Sequence, residues 1–136
     1  MSITTITTKL AEALSGLGDH PAPVVYTRDG QREYILLEGP GLSKEEDADR
    51  PDNFATIYTY TITIHAESAE HAYDGRGSMP TWEERVLDIL SVVWPALHNR
   101  KIDGWQLFPD NGDWDEREYV ISCYIRKPED LRPCRA

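Results

Sequence analysis

Between positions 56 and 65 apolar and hydroxyl side chains alternate. Tyr58, Tyr60, Ile62 and Ile64 fall on one side of a strand, and Ile57, Thr59, Thr61, Thr63 and His65 on the other. The first side requires a core. The threonine side suits water or a contact in which hydroxyls and methyls pack together. A different period marks the start of the chain: Ile3, Ile6, Leu10, Ala13, Leu14 and Leu17 recur at helical spacing, with Gly16 and Gly18 placed to end the helix. Pro21 and Pro23 then lead into a short extended run at 24–27. With the Asp29, Gly30 turn pair and a second strand at 33–38, the economical reading is a hairpin.

Residues 39–53 have almost nothing to bury and read as a long polar loop, and 66–79 as a second irregular stretch. Thr81 as cap and Glu84 as its reciprocal partner open a helix at 82–97. Its stripe is Trp82, Val86, Ile89, Leu90, Val93, Trp94 and Leu97. A short strand at 104–108, a turn at 109–113 and a strand at 118–126 follow, the last with Tyr119, Ile121, Cys123 and Ile125 on its apolar face. The predicted fold is α+β: a mainly antiparallel sheet with two helices packed on it, in the order α-β-β-β-α-β-β. It forms one domain over 1–127, with a polar tail at 128–136.

Composition narrows the function classes. Asp and Glu outnumber Lys and Arg by 24 to 14, a net charge of −10. That balance argues against nucleic-acid binding, which needs a basic stripe, and against an anionic membrane. An acidic surface serves solubility, and it also suits a channel through which DNA passes without sticking. Four tryptophans and seven tyrosines help to fill a core without metal or disulfide. Cys123 reads as a small buried hydrophobe and Cys134 as a tail residue, so no disulfide is expected. No stretch approaches the ~18 apolar residues of a membrane helix, and the first residues carry no secretory pattern, so a cytoplasmic site of synthesis is expected.

Several residue groups carry possible chemistry, each with a plainer explanation. His65, Glu67, Glu70 and His71 are dense in ligand types, but their spacing fits no zinc motif, and a solvated strand end explains them. Asp110, Asp113, Asp115 and Glu116 have the charge of a calcium loop without its spacing. A hairpin turn on Asn111 and Gly112 accounts for them. Trp105 and Trp114 suit either a ligand platform or a cross-strand aromatic pair flanking that turn. No serine elbow, Gly-rich phosphate loop or paired Cys and His is present in sequence, so no enzymatic activity, catalytic residue, metal or cofactor is expected.

Taken together, these elements resemble the tail terminator, or tail completion, proteins of long-tailed bacteriophages. The likeness covers nearly the full chain. It rests on the short helix at 3–17, the Pro-rich approach to Val24 and Val25, the long Thr/Tyr/Ile strand, the helix at 82–97, and the last strand with its lead-in from Asp113 and Trp114 to Tyr119 and Val120. The resemblance implies a virion protein at the head-proximal end of the tail, made in the host cytoplasm. Such a subunit forms a homo-oligomeric, hexameric ring on the tail tube protein, ends tube polymerisation and joins the tail to the head connector protein, with DNA only as cargo through the lumen. In that setting Thr59, Thr61 and Thr63 are candidates for a subunit or lumen surface, and Glu45, Glu46 and Asp47 for contact with tube or connector. The alternatives are another head-tail junction protein and a cytoplasmic acidic α+β binding module.

Overall fold

Ile6, Leu10 and Leu14 recur every fourth residue and are all buried, which gives the first helix, α1 (Ile3–Ser15), one continuous apolar stripe. The structure is a computed structural model and describes residues 3–15, 22–28, 33–46, 49, 53–66, 82–98, 100–102 and 104–130. Leu17 and the expected stop signals Gly16 and Gly18 lie outside the described residues, as do the capping Thr81 and the stretch at 67–81.

Beyond α1 come β1 (Val24–Val25), β2 (Glu33–Glu46), β3 (Asn53–Ala66), α2 (Trp82–Leu97), β4 (Lys101–Ile102), β5 (Trp105–Asp115) and β6 (Glu118–Asp130). Among the described residues, the six strands form one sheet in the order β1-β2-β3-β6-β5-β4. The class is α+β, but the sheet is mixed: β1 runs parallel to β2, pairing Val24 with Ile35 and Val25 with Leu36, while the other neighbours are antiparallel. This corrects the hairpin expected between 24–27 and 33–38. A two-residue strand is too short to dictate hairpin register, and its position is fixed by the Ile35 N–H donating to the Pro23 carbonyl at 2.9 Å.

The predicted loop at 39–53 is also corrected. β2 continues to Glu46 and β3 begins at Asn53, with cross-strand pairs from Gly41–Thr59 out to Glu46–Phe54. The polar residues bury little because this part of the sheet projects past the helices, and backbone pairing makes the strand without an apolar face. Local pairs add support: Lys44 lies 4.7 Å over the Phe54 ring, and Arg126 on β6 donates to Glu45 at 3.1 Å. β6 accompanies the projection to Asp130, three pairs beyond Lys127 and into the stretch read as tail. Residues 131–136 lie outside the described residues.

A third correction concerns the last hairpin. Its turn is Glu116 and Arg117, with Glu116 at φ 55°, and Asn111 and Gly112 fall inside β5 at a bulge between Pro109 and Gly112. Gly112 is used differently: a Cβ there would overlap the Tyr119 ring, which lies across the glycine from the neighbouring strand. The short β4, absent from the predicted order, turns back through Gly104 at φ 87° and buries Ile102.

Both helices pack on one face of the sheet. Val86, Ile89, Val93 and Leu97 of α2 join the α1 stripe over Ile35, Leu37, Tyr58, Tyr60, Ile62, Ile64, Ile121, Cys123 and Ile125. The Tyr/Ile side of β3 is thus the core side, and α1 shares it with α2. Tyr60 shows why: its ring is fully buried, and its hydroxyl meets the Thr7 hydroxyl of α1 at 2.8 Å.

Candidate interaction surfaces

Register places the other face of the sheet residue by residue. Across β2, β3 and β6 run the rows Tyr34–His65–Glu118, Leu36–Thr63–Val120 and Glu38–Thr61–Ser122, followed past the β2 bulge by Gly41–Thr59–Tyr124. Phe108 of β5 extends the last row and stacks on Tyr124, ring centroids 5.1 Å apart. Among the described residues no helix covers this face. The three candidate threonines are not equivalent along it: Thr63 is buried at 2 % exposure, Thr61 is half-buried and Thr59 is exposed. The accessible part is therefore the Thr59, Tyr124 and Phe108 end.

The opposite end is closed by a polar cluster. The Arg28 guanidinium donates to both Glu118 carboxylate oxygens, at 2.5 and 2.8 Å, and to the Tyr34 hydroxyl at 3.1 Å. His65 Nδ1 lies 3.0 Å from Glu118 Oε2, and its ring stacks on Tyr34 at 4.7 Å. This two-pronged pairing ties the segment after β1 to the start of β6. The Arg28 guanidinium holds the Glu118 carboxyl below the usual carboxylate range, against the opposing effect of partial burial.

A group whose folded pKa is depressed stabilises the fold above its unfolded value, and that contribution is lost as pH falls through the folded value. Glu118→Gln is expected to destabilise by about 1.5 kcal/mol near pH 7. The gap from the unaltered chain should close as pH drops below about 4. Urea melts at several pH values check this, and a gap that stays constant down to pH 2 would contradict the ion-pair role.

The projecting arm is formed by β2 beyond Gly41, the first half of β3 and the end of β6. Glu45 and Glu46 are both exposed on it, Glu45 paired with Arg126, while Asp47 lies outside the described residues. The arm also bares an apolar side chain: Leu42 is 56 % exposed. Its outer edge, and the outer edge of β5, are each interrupted. β1 covers only Ile35 and Leu36 of β2, and beyond them come Pro40 and a bulge between Glu38 and Gly41. β4 covers only Trp105 and Gln106 of β5, and beyond them come Pro109 and the second bulge. Proline and bulges blunt an edge against strand addition.

On the helix side, the flank of α2 adjoins Tyr119. Leu87, Leu90, Ser91, Trp94, Pro95 and Tyr119 line a groove of about 350 Å³. Trp94, expected in the core stripe, is half-buried here and meets the His98 ring at 4.8 Å. The reason is angular: the buried stripe is Val86, Ile89, Val93 and Leu97, and Leu87, Leu90 and Trp94 lie to one side of it. Trp114 sits edge-on to both Trp82, at 5.9 Å, and Tyr119, at 5.3 Å. It does not pair with Trp105. The two tryptophans occupy opposite ends of one strand rather than flanking a turn, which corrects both readings of that pair.

The remaining candidates are not brought together. His65 is engaged by Glu118 and Tyr34, while Glu67, Glu70 and His71 lie outside the described residues. Asp113 accepts from the Trp114 backbone N–H at 2.8 Å, and Asp115 ends β5 before the Glu116 and Arg117 turn. Cys123 is a free, buried thiol whose pKa is pushed up to about 12, chiefly by burial, so it is held as the protonated form; Cys134 is outside the described residues.

Residues unnoticed in the sequence include Arg28, Glu118, Leu42 and Phe108. The even positions from Glu118 to Arg126 carried a signal, because they define the second face as firmly as the odd ones define the core. No helix among the described residues is long and apolar enough to cross a membrane. No protein-family model matches the chain, and no curated protein matches it.

Proposed function

We propose that this chain is a structural ring subunit of the tail terminator kind, capping the tail tube of a long-tailed phage, ending tube polymerisation and joining the tail to the head connector. The observation that carries the reading is the uneven dressing of the sheet. Its core face takes both helices, while the opposite face offers Thr59, Thr61, Ser122 and Tyr124 beside an exposed Phe108. Hydroxyl and aromatic groups at such a face pack against a neighbouring subunit or line a lumen without binding DNA phosphates. The arm bearing Glu45 and Glu46 extends beyond the helices and gives the ring a protruding part that meets tube or connector.

Native mass measurement over a range of concentrations, with and without the tube protein, tests the proposal. A closed ring, either alone or on tube ends, is the expected result, together with tubes of limited length when the subunit is added during polymerisation. A concentration-independent monomer that leaves tube growth unaffected would instead favour a single-copy acidic binding module.

A further inference from the structure

The arm and the α2 groove lie on the same side of the sheet but at opposite ends of the long strands, so one chain cannot seat its own arm in its own groove. On the helix side of the arm, Leu42 shares a row with Tyr58 and Ile125, and the next row outward is Lys44, Thr56 and Lys127. Lys44, about half exposed, meets Glu46 at 3.3 Å and lies over the Phe54 ring, while Lys127, 23 % exposed, meets Glu129 at 3.2 Å; the exposed Lys44–Glu46 pair is of the kind that is readily exchanged. The groove has the complementary character. Leu87 is 49 % exposed beside Leu90 and Trp94, and on the same helix Glu83, one turn before Leu87, and Asp88, next to it in sequence and close enough to act on Arg85, are exposed. An apolar residue with flanking lysines on one surface thus answers an apolar groove with flanking carboxylates on another, in a chain where acids greatly outnumber bases.

We propose that the arm of one copy seats on the α2 groove of a second copy, Leu42 against Leu87 and Trp94, with Lys44 and Lys127 facing Glu83 and Asp88. This rests on the ring reading and specifies its subunit contact. Two different surfaces of one chain make a heterologous, head-to-tail joint, the kind that closes into a ring when the rotation is right. Strand-to-strand joining is disfavoured by the bulges and prolines on both long edges, so the joint is made through faces. The hydroxyl face, with Thr59, Tyr124 and, on that side of the arm, Glu45, is then left for the lumen, the tube or the connector.

The test uses the full chain with Cys134→Ser, in which the remaining cysteine, Cys123, is buried. Leu42→Cys and Leu87→Cys, separately and together, are treated with a short bismaleimide under conditions where the unaltered chain forms rings, including tube protein if it is required. Both positions are largely exposed, and circular dichroism verifies that the fold is kept. Only the double variant should give a covalent ladder ending at the ring size. Lys44→Glu with Lys127→Glu should raise the concentration needed for assembly at least tenfold, and adding Glu83→Lys with Asp88→Lys should restore it. Rings that form normally but neither cross-link nor respond to the lysine reversals would overturn this contact and leave the ring reading standing. A chain that never assembles, with or without tube protein, would overturn both.

Discussion

Tyr60→Ala is expected to destabilise the fold by about 3–5 kcal/mol, because a fully buried ring would leave a cavity between the middle of the sheet and α1. Tyr60→Phe separates packing from hydrogen bonding. It keeps the ring and removes only the hydroxyl that meets Thr7, which should cost about 1 kcal/mol. Burial raises the Tyr60 pKa, partly countered by the Thr7 hydrogen bond, so the phenol stays protonated through the neutral range. Urea melts of both variants give the comparison directly. Equal losses for Ala and Phe would mean that the hydroxyl, and not the ring, holds α1 to the sheet.

Gly39→Ala is expected to cost about 3 kcal/mol, combining backbone strain with a close contact. Gly39 has φ 121°, a region that side chains disfavour, and a Cβ at this position would stand 2.7 Å from the Thr59 carbonyl oxygen. Gly41→Ala, two residues away, is the control. The nearest atom to its Cβ would be the same oxygen at an ordinary 4.0 Å, so the change should be neutral or slightly stabilising. Melts that fail to distinguish the two positions would show that the bulge tolerates a side chain. Hydrogen exchange should place the damage in β2 beyond Glu38, where the bulge sets the direction of the arm.

The elements with a sustained period were legible in the sequence. β3 declares its two faces through Tyr, Ile and Thr alternation, and the stripe of α2 locates the helix to the residue. What escaped had no period to show. The arm makes strands from polar residues because its backbone pairs while its side chains stay outside the core, and a hydropathy pattern records only burial. The two-residue β1 leaves no signal of direction. Asn111 and Gly112 are a familiar turn pair, but the glycine is needed beneath Tyr119, and the turn moves to Glu116 and Arg117. Of the site residues, Thr59, Glu45 and Glu46 were found exposed, while Thr63 was not. The pairing of Arg28 with Glu118 joins residues 90 apart in sequence, which no local spacing reveals.

The interrupted edges of β2 and β5 also bear on how the chain avoids joining copies of itself strand to strand. A long, flat edge on a chain held at high concentration would template cross-β aggregation. Pro40 and Pro109 remove backbone donors from those edges, and the bulges beside them break the flat repeat that a growing fibril copies. Replacing them by residues that straighten the strands would therefore be felt in recovery more than in stability: the altered chain would fold and then be lost as insoluble material.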